Sequence, residues 1–120
     1  MRRAALALAL AVLAAAAPAA ADTRWLACTF TKDGKKFSLA VVFDEARNYT
    51  AIFDDGELLE GANTSITFQA IRSRFPSFFL TYNRNDGSLS LAPTGGGGFT
   101  AGLSHGECRR STPPPGAPRV

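Results

Sequence analysis

The sequence predicts a small all-β domain, an antiparallel barrel or sandwich of roughly seven to eight short strands closed by one disulfide. Apolar and polar residues alternate over several short stretches, turn residues separate these stretches, and two cysteines lie far apart in the chain. Alternation with a period of two is typical of strands that bury one face, and turns roughly every 8–12 residues are typical of antiparallel sandwiches and barrels.

The N-terminus has the three parts of a secretory signal peptide. Arginines follow Met1, an apolar run covers residues 4–17, and small residues lead up to Ala21. A membrane-spanning helix needs about 20 strongly apolar residues, so this alanine-rich run is too short for one. We therefore predict a signal peptide over residues 1–21 and a periplasmic or secreted mature chain that keeps no stable membrane anchor.

The mature chain is expected to form one domain with little net charge. Two of the 13 basic residues leave with the signal peptide and all 10 acidic residues remain, so the formal net charge falls from +3 to about +1. A nucleic-acid partner would require a concentrated basic face, and we expect none. We predict a single β domain over residues 22–110 and, because of its prolines, a disordered tail over residues 111–120.

Cys28 and Cys108 are the only cysteines. An exported protein meets an oxidising compartment, and one histidine without a CxxC motif argues against a metal pair or a catalytic thiol. We expect a structural disulfide between them. In the chain-entropy model, closing a loop of about 80 residues stabilises the fold by roughly 4.5 kcal/mol.

The strands are predicted from alternation and from the turns that interrupt it. Residues 32–35 and Asn85-Asp86-Gly87 are hairpin turns, glycines 95–98 form a flexible loop, and a single helical turn is placed near residues 57–61. In the strand over residues 65–72, Ile66, Phe68 and Ala70 are expected to share one face. The strands are predicted, in chain order, over residues 25–30, 37–43, 49–53, 65–72, 78–84 and 89–91, with a last short strand from residues 99–103 and 106–109.

A segment rich in arginine and phenylalanine is the candidate partner-binding surface. Pro76 cannot donate a ladder hydrogen bond, so the chain should leave the central sheet there or follow an edge. We therefore expect Phe75 to be exposed to solvent and flanked by Arg72 and Arg74. Arginine and aromatic side chains are enriched at protein interfaces. In the opposite interpretation, phenylalanines of this segment belong to the core.

Two further groups of residues have side chains that could support chemistry. The carboxylates Asp54, Asp55, Glu57 and Glu60 surround Gly56, and they either hold a calcium ion or form a solvated turn, which we favour because the spacing does not match an EF-hand loop. Ser104 and His105 are adjacent, so on a strand they point to opposite faces and do not form a catalytic pair. We predict no catalytic residues, no metal site and no cofactor.

Several short motifs resemble those of known exported proteins. The chain resembles small exported proteins of Gram-negative bacteria that have no assigned function, and the resemblance lies in Trp25-Leu26-Ala27-Cys28, Phe43-Asp44-Glu45, residues 82–89 and Gly106-Glu107-Cys108. The cysteine arrangement is similar to that of the periplasmic inhibitors of c-type lysozyme, which are small β-barrels with an early cysteine bonded to a late one. This chain lacks their Ser-Gly-x-x-Tyr inhibitory segment. The resemblance therefore implies an architecture and transfers no functional residue.

These observations favour a non-enzymatic exported binding protein with a protein partner. The alternatives are a lysozyme-inhibitor-like protein, a small hydrolase that uses loop carboxylates or His105, and a structural envelope protein.

Overall fold

The structure is a computed structural model and describes residues 23–94 and 103–120, so the predicted signal peptide and the glycine loop at 95–98 lie outside the described residues. No helix within these two ranges is long and apolar enough to cross a membrane. The described residues form nine strands: β1 (Thr23–Lys32), β2 (Lys35–Asp44), β3 (Tyr49–Asp54), β4 (Glu57–Glu60), β5 (Ala62–Ile66), β6 (Ala70–Arg74), β7 (Phe78–Asn83), β8 (Ser88–Pro93) and β9 (Ser104–Ser111).

The strands form one antiparallel sheet that curls into a nearly closed barrel, which confirms the predicted fold class. The order across the sheet is β4-β3-β2-β1-β9-β8-β7-β6-β5. Since every pairing is antiparallel, the two edge strands β4 and β5 run in the same direction, and only Gly61 separates them in the chain. Together they act as one bent strand that pairs first with β3 and then with β6.

The bend requires glycine at position 61, because any side chain there would have no room. A Cβ atom at this position would overlap the Ser73 hydroxyl on β6. The Gly61 amide donates to the Thr50 carbonyl at 2.8 Å, and the Asn48 side chain donates to the Thr64 carbonyl. Main-chain and side-chain hydrogen bonds therefore cross the seam of the barrel, where an open sheet would leave two unpaired edges.

The barrel interior is filled by alternate residues of all the long strands. On β1, for example, Leu26 and Cys28 point inward, while Trp25 points outward. The inner core consists of Leu26, Cys28, Val41, Phe43, Ile52, Ile71, Phe75, Leu80, Tyr82, Leu89 and Leu91. Fully burying one such side chain contributes about 1.5–3 kcal/mol, so this interior is the main source of stability.

A second apolar cluster lies outside the barrel, on the outer face of β1–β3. Trp25, Val42 and Ala51 are buried there, and Ala117 and Val120 from the C-terminal tail pack against them. This arrangement differs from the disordered tail that the proline content predicts. The apolar outer face of three strands provides a surface on which two apolar tail residues can be buried, which composition alone does not reveal.

The predicted disulfide joins β1 to β9. Cys28 and Cys108 are directly opposite each other, with their Cα atoms 4.0 Å apart. The Cys108 amide donates to Gly87 and therefore points away from β1. The two cysteines are thus a non-hydrogen-bonded pair, in which opposite Cα atoms approach most closely. The bond agrees with the prediction and is consistent with an oxidising compartment.

Two local predictions are wrong. The expected helical turn at residues 57–61 is strand β4, and the expected strand over residues 65–72 is split into β5 and β6. The split occurs because Thr67 closes a tight turn: its hydroxyl accepts hydrogen bonds from the amides of Gln69 and Ala70. Phe68, predicted to share a strand face with Ile66 and Ala70, lies at the tip of this turn and is 81% exposed.

Candidate functional site

Only part of the predicted partner-binding segment is exposed. Arg72 and Arg74 point outward from β6, as expected. Phe75 is 1% exposed and belongs to the inner core, where its ring stacks on Phe78 with 5.3 Å between centroids. The prediction of an exposed Phe75 is therefore wrong, because the inward alternation of β6 continues through Ile71 and Ser73 to this residue.

Phe79 is the exposed aromatic residue of this region. It is 46% exposed on β7, directly opposite Arg74 on β6. The Arg74 guanidinium carbon lies 5.7 Å from the centroid of the Phe79 ring, within the range of a cation–π contact. We call Arg72, Arg74 and Phe79 the outer stripe. Sequence reasoning missed Phe79, although its position between inward-facing Phe78 and Leu80 was available as a signal.

The side chains around the outer stripe on β6–β8 are small, and none of them is acidic. Besides the stripe, the outward positions of β6–β8 are Ala70, Thr81, Asn83, Ser88, Ser90 and Ala92. None of them carries a carboxylate, so the two arginines have no acidic neighbour on these three strands. This face can therefore offer an aromatic anchor and two positive charges.

The structure separates Ser104 and His105 as predicted. Ser104 is buried inside the barrel, and His105 is exposed on the outer face of β9. His105 has another serine beside it, since the Ser90 hydroxyl on β8 lies 3.5 Å from its Nδ1 atom. This distance is at the outer limit of a hydrogen bond.

The acidic residues around Gly56 lie in and next to the β3–β4 hairpin. Asp55 and Gly56 both have positive φ angles, 50° and 80°, as a tight two-residue hairpin turn requires. Asp54 and Glu57 are opposite each other at the base of the turn. Within residues 23–94 and 103–120, no three side chains of His, Cys, Asp or Glu are grouped so that they could hold a metal ion.

A cavity at one end of the barrel was not anticipated from the sequence. It has a volume of about 1000 Å³ and is bounded on one side by the tail. We call this end the barrel mouth and define it by Arg24, Arg84, Arg110 and Arg119 together with Leu26, Phe43 and Tyr82. At three strand ends an arginine lies two positions from an inward-facing residue, and therefore on the same side of the sheet. These pairs are Leu26 and Arg24 on β1, Cys108 and Arg110 on β9, and Tyr82 on β7 with Arg84 just after it.

Ion pairs near the barrel mouth hold the loops in place. Arg84 donates to Glu45 at 2.5 Å and to the Thr67 carbonyl at 2.8 Å, and its guanidinium lies 5.4 Å from the Phe43 ring centroid. In the β2–β3 turn, the hydrogen bond from the Arg47 side chain lowers the pKa of Asp44 below its usual 3.8. The Asp44 carboxylate also accepts the Ala46 amide at 3.0 Å and thereby closes the turn.

Comparison with known proteins identifies no relative of this chain: no family model, no curated protein and no solved structure matches it.

Proposed function

We propose that the mature chain is a non-enzymatic binding protein of the periplasm or the extracellular medium, and that the outer stripe binds an acidic surface of a protein partner. The observation that carries this proposal is the half-exposed Phe79 ring in contact with Arg74. A large aromatic side chain left in solvent beside arginine has the composition of an interface anchor.

The charge around the stripe determines the kind of partner. Arg72 and Arg74 each carry a positive charge, and the outward side chains of β6–β8 carry no negative charge. A partner surface with carboxylates would therefore meet complementary charge, whereas a basic surface would be repelled. The sheet fixes the backbone beneath the three side chains, and the contact between Arg74 and Phe79 orders two of them before binding, which lowers the entropic cost of association.

The experiment uses the oxidised mature protein to capture partners from a periplasmic extract, followed by identification of the partner and measurement of its Kd. Phe79→Ala and the double variant Arg72→Ala, Arg74→Ala should each weaken the Kd about thirtyfold, which corresponds to about 2 kcal/mol. Higher salt should weaken binding of the wild type more than binding of the double variant.

Two matched controls test whether loss of binding is specific to the outer stripe or follows from removing any exposed phenylalanine or arginine. Phe37→Ala removes a phenylalanine of similar exposure, 44%, at a different place on the barrel, and Arg109→Ala removes an outward arginine of β9. Both controls should leave the Kd unchanged. If the stripe variants are folded and bind the partner as tightly as the wild type, the binding surface lies elsewhere and the proposal is wrong.

A second candidate is inhibition of a c-type lysozyme. It is favoured by the bond between Cys28 in the first strand and Cys108 in the last, because the resembled inhibitors are barrels closed in this way. Cell-wall lysis by the enzyme is measured with an equimolar amount of the oxidised protein. Stoichiometric inhibition would support this candidate, and unaffected lysis would remove it.

The non-enzymatic part of the proposal has its own test. If the protein were a hydrolase, Ser90 would be the candidate nucleophile and His105 the candidate base, because their side chains are in contact. The mature protein and Ser90→Ala are compared on ester, glycoside and peptide substrates. We expect no turnover by either protein, and turnover that is lost in Ser90→Ala would identify a hydrolase.

A further inference from the structure

We propose that the barrel mouth is a second binding site, separate from the outer stripe, for a small organic anion that carries at least two carboxylate or phosphate groups. Four arginines surround one cavity of about 1000 Å³, at the upper end of the usual size of small-molecule pockets. Core side chains, including Phe43 and Tyr82, also line it and provide an apolar surface for the body of such a ligand.

The arginines of the mouth carry more positive charge than their neighbours balance. Arg84 is paired with Glu45. For Arg24, Arg110 and Arg119, the structure records no ion pair with any residue in 23–94 or 103–120, and the side chains that line the cavity include no Asp or Glu. Positive side chains that share a cavity repel one another, and arginine cannot relieve the repulsion by losing its proton. A bound anion removes this repulsion.

The position of the arginines explains why an anion is preferred over solvent. Arg24 lies opposite Phe43 and Arg110 opposite Leu26, so both begin on the inward-facing side of the sheet at its open end. Apolar walls focus the field of such charges into the cavity. Guanidinium groups bind carboxylate or phosphate oxygens through paired hydrogen bonds, which accounts for the two ligand chemistries in the proposal.

The tail completes the site. Arg24 and Arg110 lie on β-strands and Arg84 directly follows β7, whereas Arg119 lies in the tail. Its neighbour Val120 packs in the cluster around Trp25. Docking of the tail on the barrel therefore brings the fourth guanidinium to the cavity. Trp25 also lines the cavity and is the only tryptophan in the chain, so its fluorescence reports directly on this region.

The test is a titration of the oxidised mature protein, followed by Trp25 fluorescence and by calorimetry. The probes are citrate for the carboxylates, inorganic pyrophosphate for the phosphates, and glycerol as an uncharged control. We expect saturable binding of at least one anion below about 1 mM and none of glycerol. Comparison of citrate with pyrophosphate shows which of the two chemistries the site prefers.

A matched pair of double variants locates the binding. Arg24→Gln, Arg110→Gln removes two charges from the mouth and should weaken anion binding at least about tenfold. Arg72→Gln, Arg74→Gln removes two charges from the outer stripe and should leave it unchanged. Arg119→Gln should weaken binding less than the mouth double variant does. Absence of saturable binding by both anions, or equal loss in the two double variants, would overturn the proposal.

Discussion

The two halves of the barrel share one interior and differ in what covers their outer faces. On β1–β3 the outer residues Trp25, Val42 and Ala51 are apolar, and the tail packs on them. On β6–β8 the outer residues are arginine, small polar residues and Phe79, and nothing within the described residues packs over them as the tail does on β1–β3. The chain thus uses its own tail on one half and leaves the other half available to a partner.

The strands of the two halves also differ in the pattern of buried residues along each strand. In β1–β3, buried residues are consecutive, as in Val41-Val42-Phe43 and Ala51-Ile52, which is the pattern of strands covered on both faces. In β6, and in β8 from Ser88 to Ala92, buried and accessible residues alternate, which is the pattern of strands covered on one face only. A strand with two apolar faces therefore predicts a covering segment, even when that segment is rich in proline.

A large effect is expected from the disulfide that joins β1 of the covered half to β9. Replacing Cys28 and Cys108 by serine should lower the free energy of unfolding by about 2–5 kcal/mol, because the unfolded chain gains the freedom of a long loop. Urea denaturation measures the change. Thiol titration of the native wild type should find no free sulfhydryl, and two reactive thiols per chain or an equally stable double variant would contradict the prediction.

Two phenylalanines four residues apart test the inner and outer faces directly. Phe75→Ala should lower the free energy of unfolding by about 3–5 kcal/mol because it empties part of the core. Phe79→Ala should change it by less than about 0.5 kcal/mol because its ring is half exposed. Thermal and urea denaturation of both variants provide the measurement, and similar losses for the two would show that the faces are not distinct.

A charge introduced into the tail should detach it from the outer face of β1–β3. Val120→Asp should release the tail from Trp25 and lower the free energy of unfolding by about 1 kcal/mol, since Val120 is only partly buried. Trp25 emission should shift to longer wavelength as the indole meets water. Thr112→Asp adds the same charge at an exposed position and should leave the emission unchanged, whereas equal shifts in both variants would indicate a charge effect only.

The smallest effect concerns the β2–β3 turn of the covered half and appears only in acid. The Arg47 hydrogen bond lowers the pKa of Asp44, so the folded state favours the carboxylate more than the unfolded state does. Its stabilising effect is complete above about pH 4 and is lost as the pH falls through the lowered pKa. The stability advantage of the wild type over Asp44→Asn should therefore shrink below pH 4. Parallel stability curves for the two proteins across this range would contradict the role of Asp44.

Much of the fold was predictable because hairpins are local. Asp33-Gly34 adopts positive φ angles of 52° and 76°, as expected of such a pair between two alternating stretches. The turn at Thr67 was not predictable from composition, because a threonine hydroxyl closes it without Gly, Pro or Asn. Of the predicted site residues, Arg72 and Arg74 are exposed as expected, whereas Phe75 is buried because the alternation of β6 continues up to Pro76.

The sequence by itself determined the strand alternation, most turns and the pairing of two cysteines, since each depends on residue types a few positions apart or on a single possible partner. Only the tertiary structure decided that the sheet closes through Gly61, that the tail covers Trp25, and that four arginines meet at one end. These features join residues up to about 95 positions apart in the chain, as Arg24 and Arg119 are, and such distances are set by strand register and sheet curvature. No local pattern encodes those two quantities.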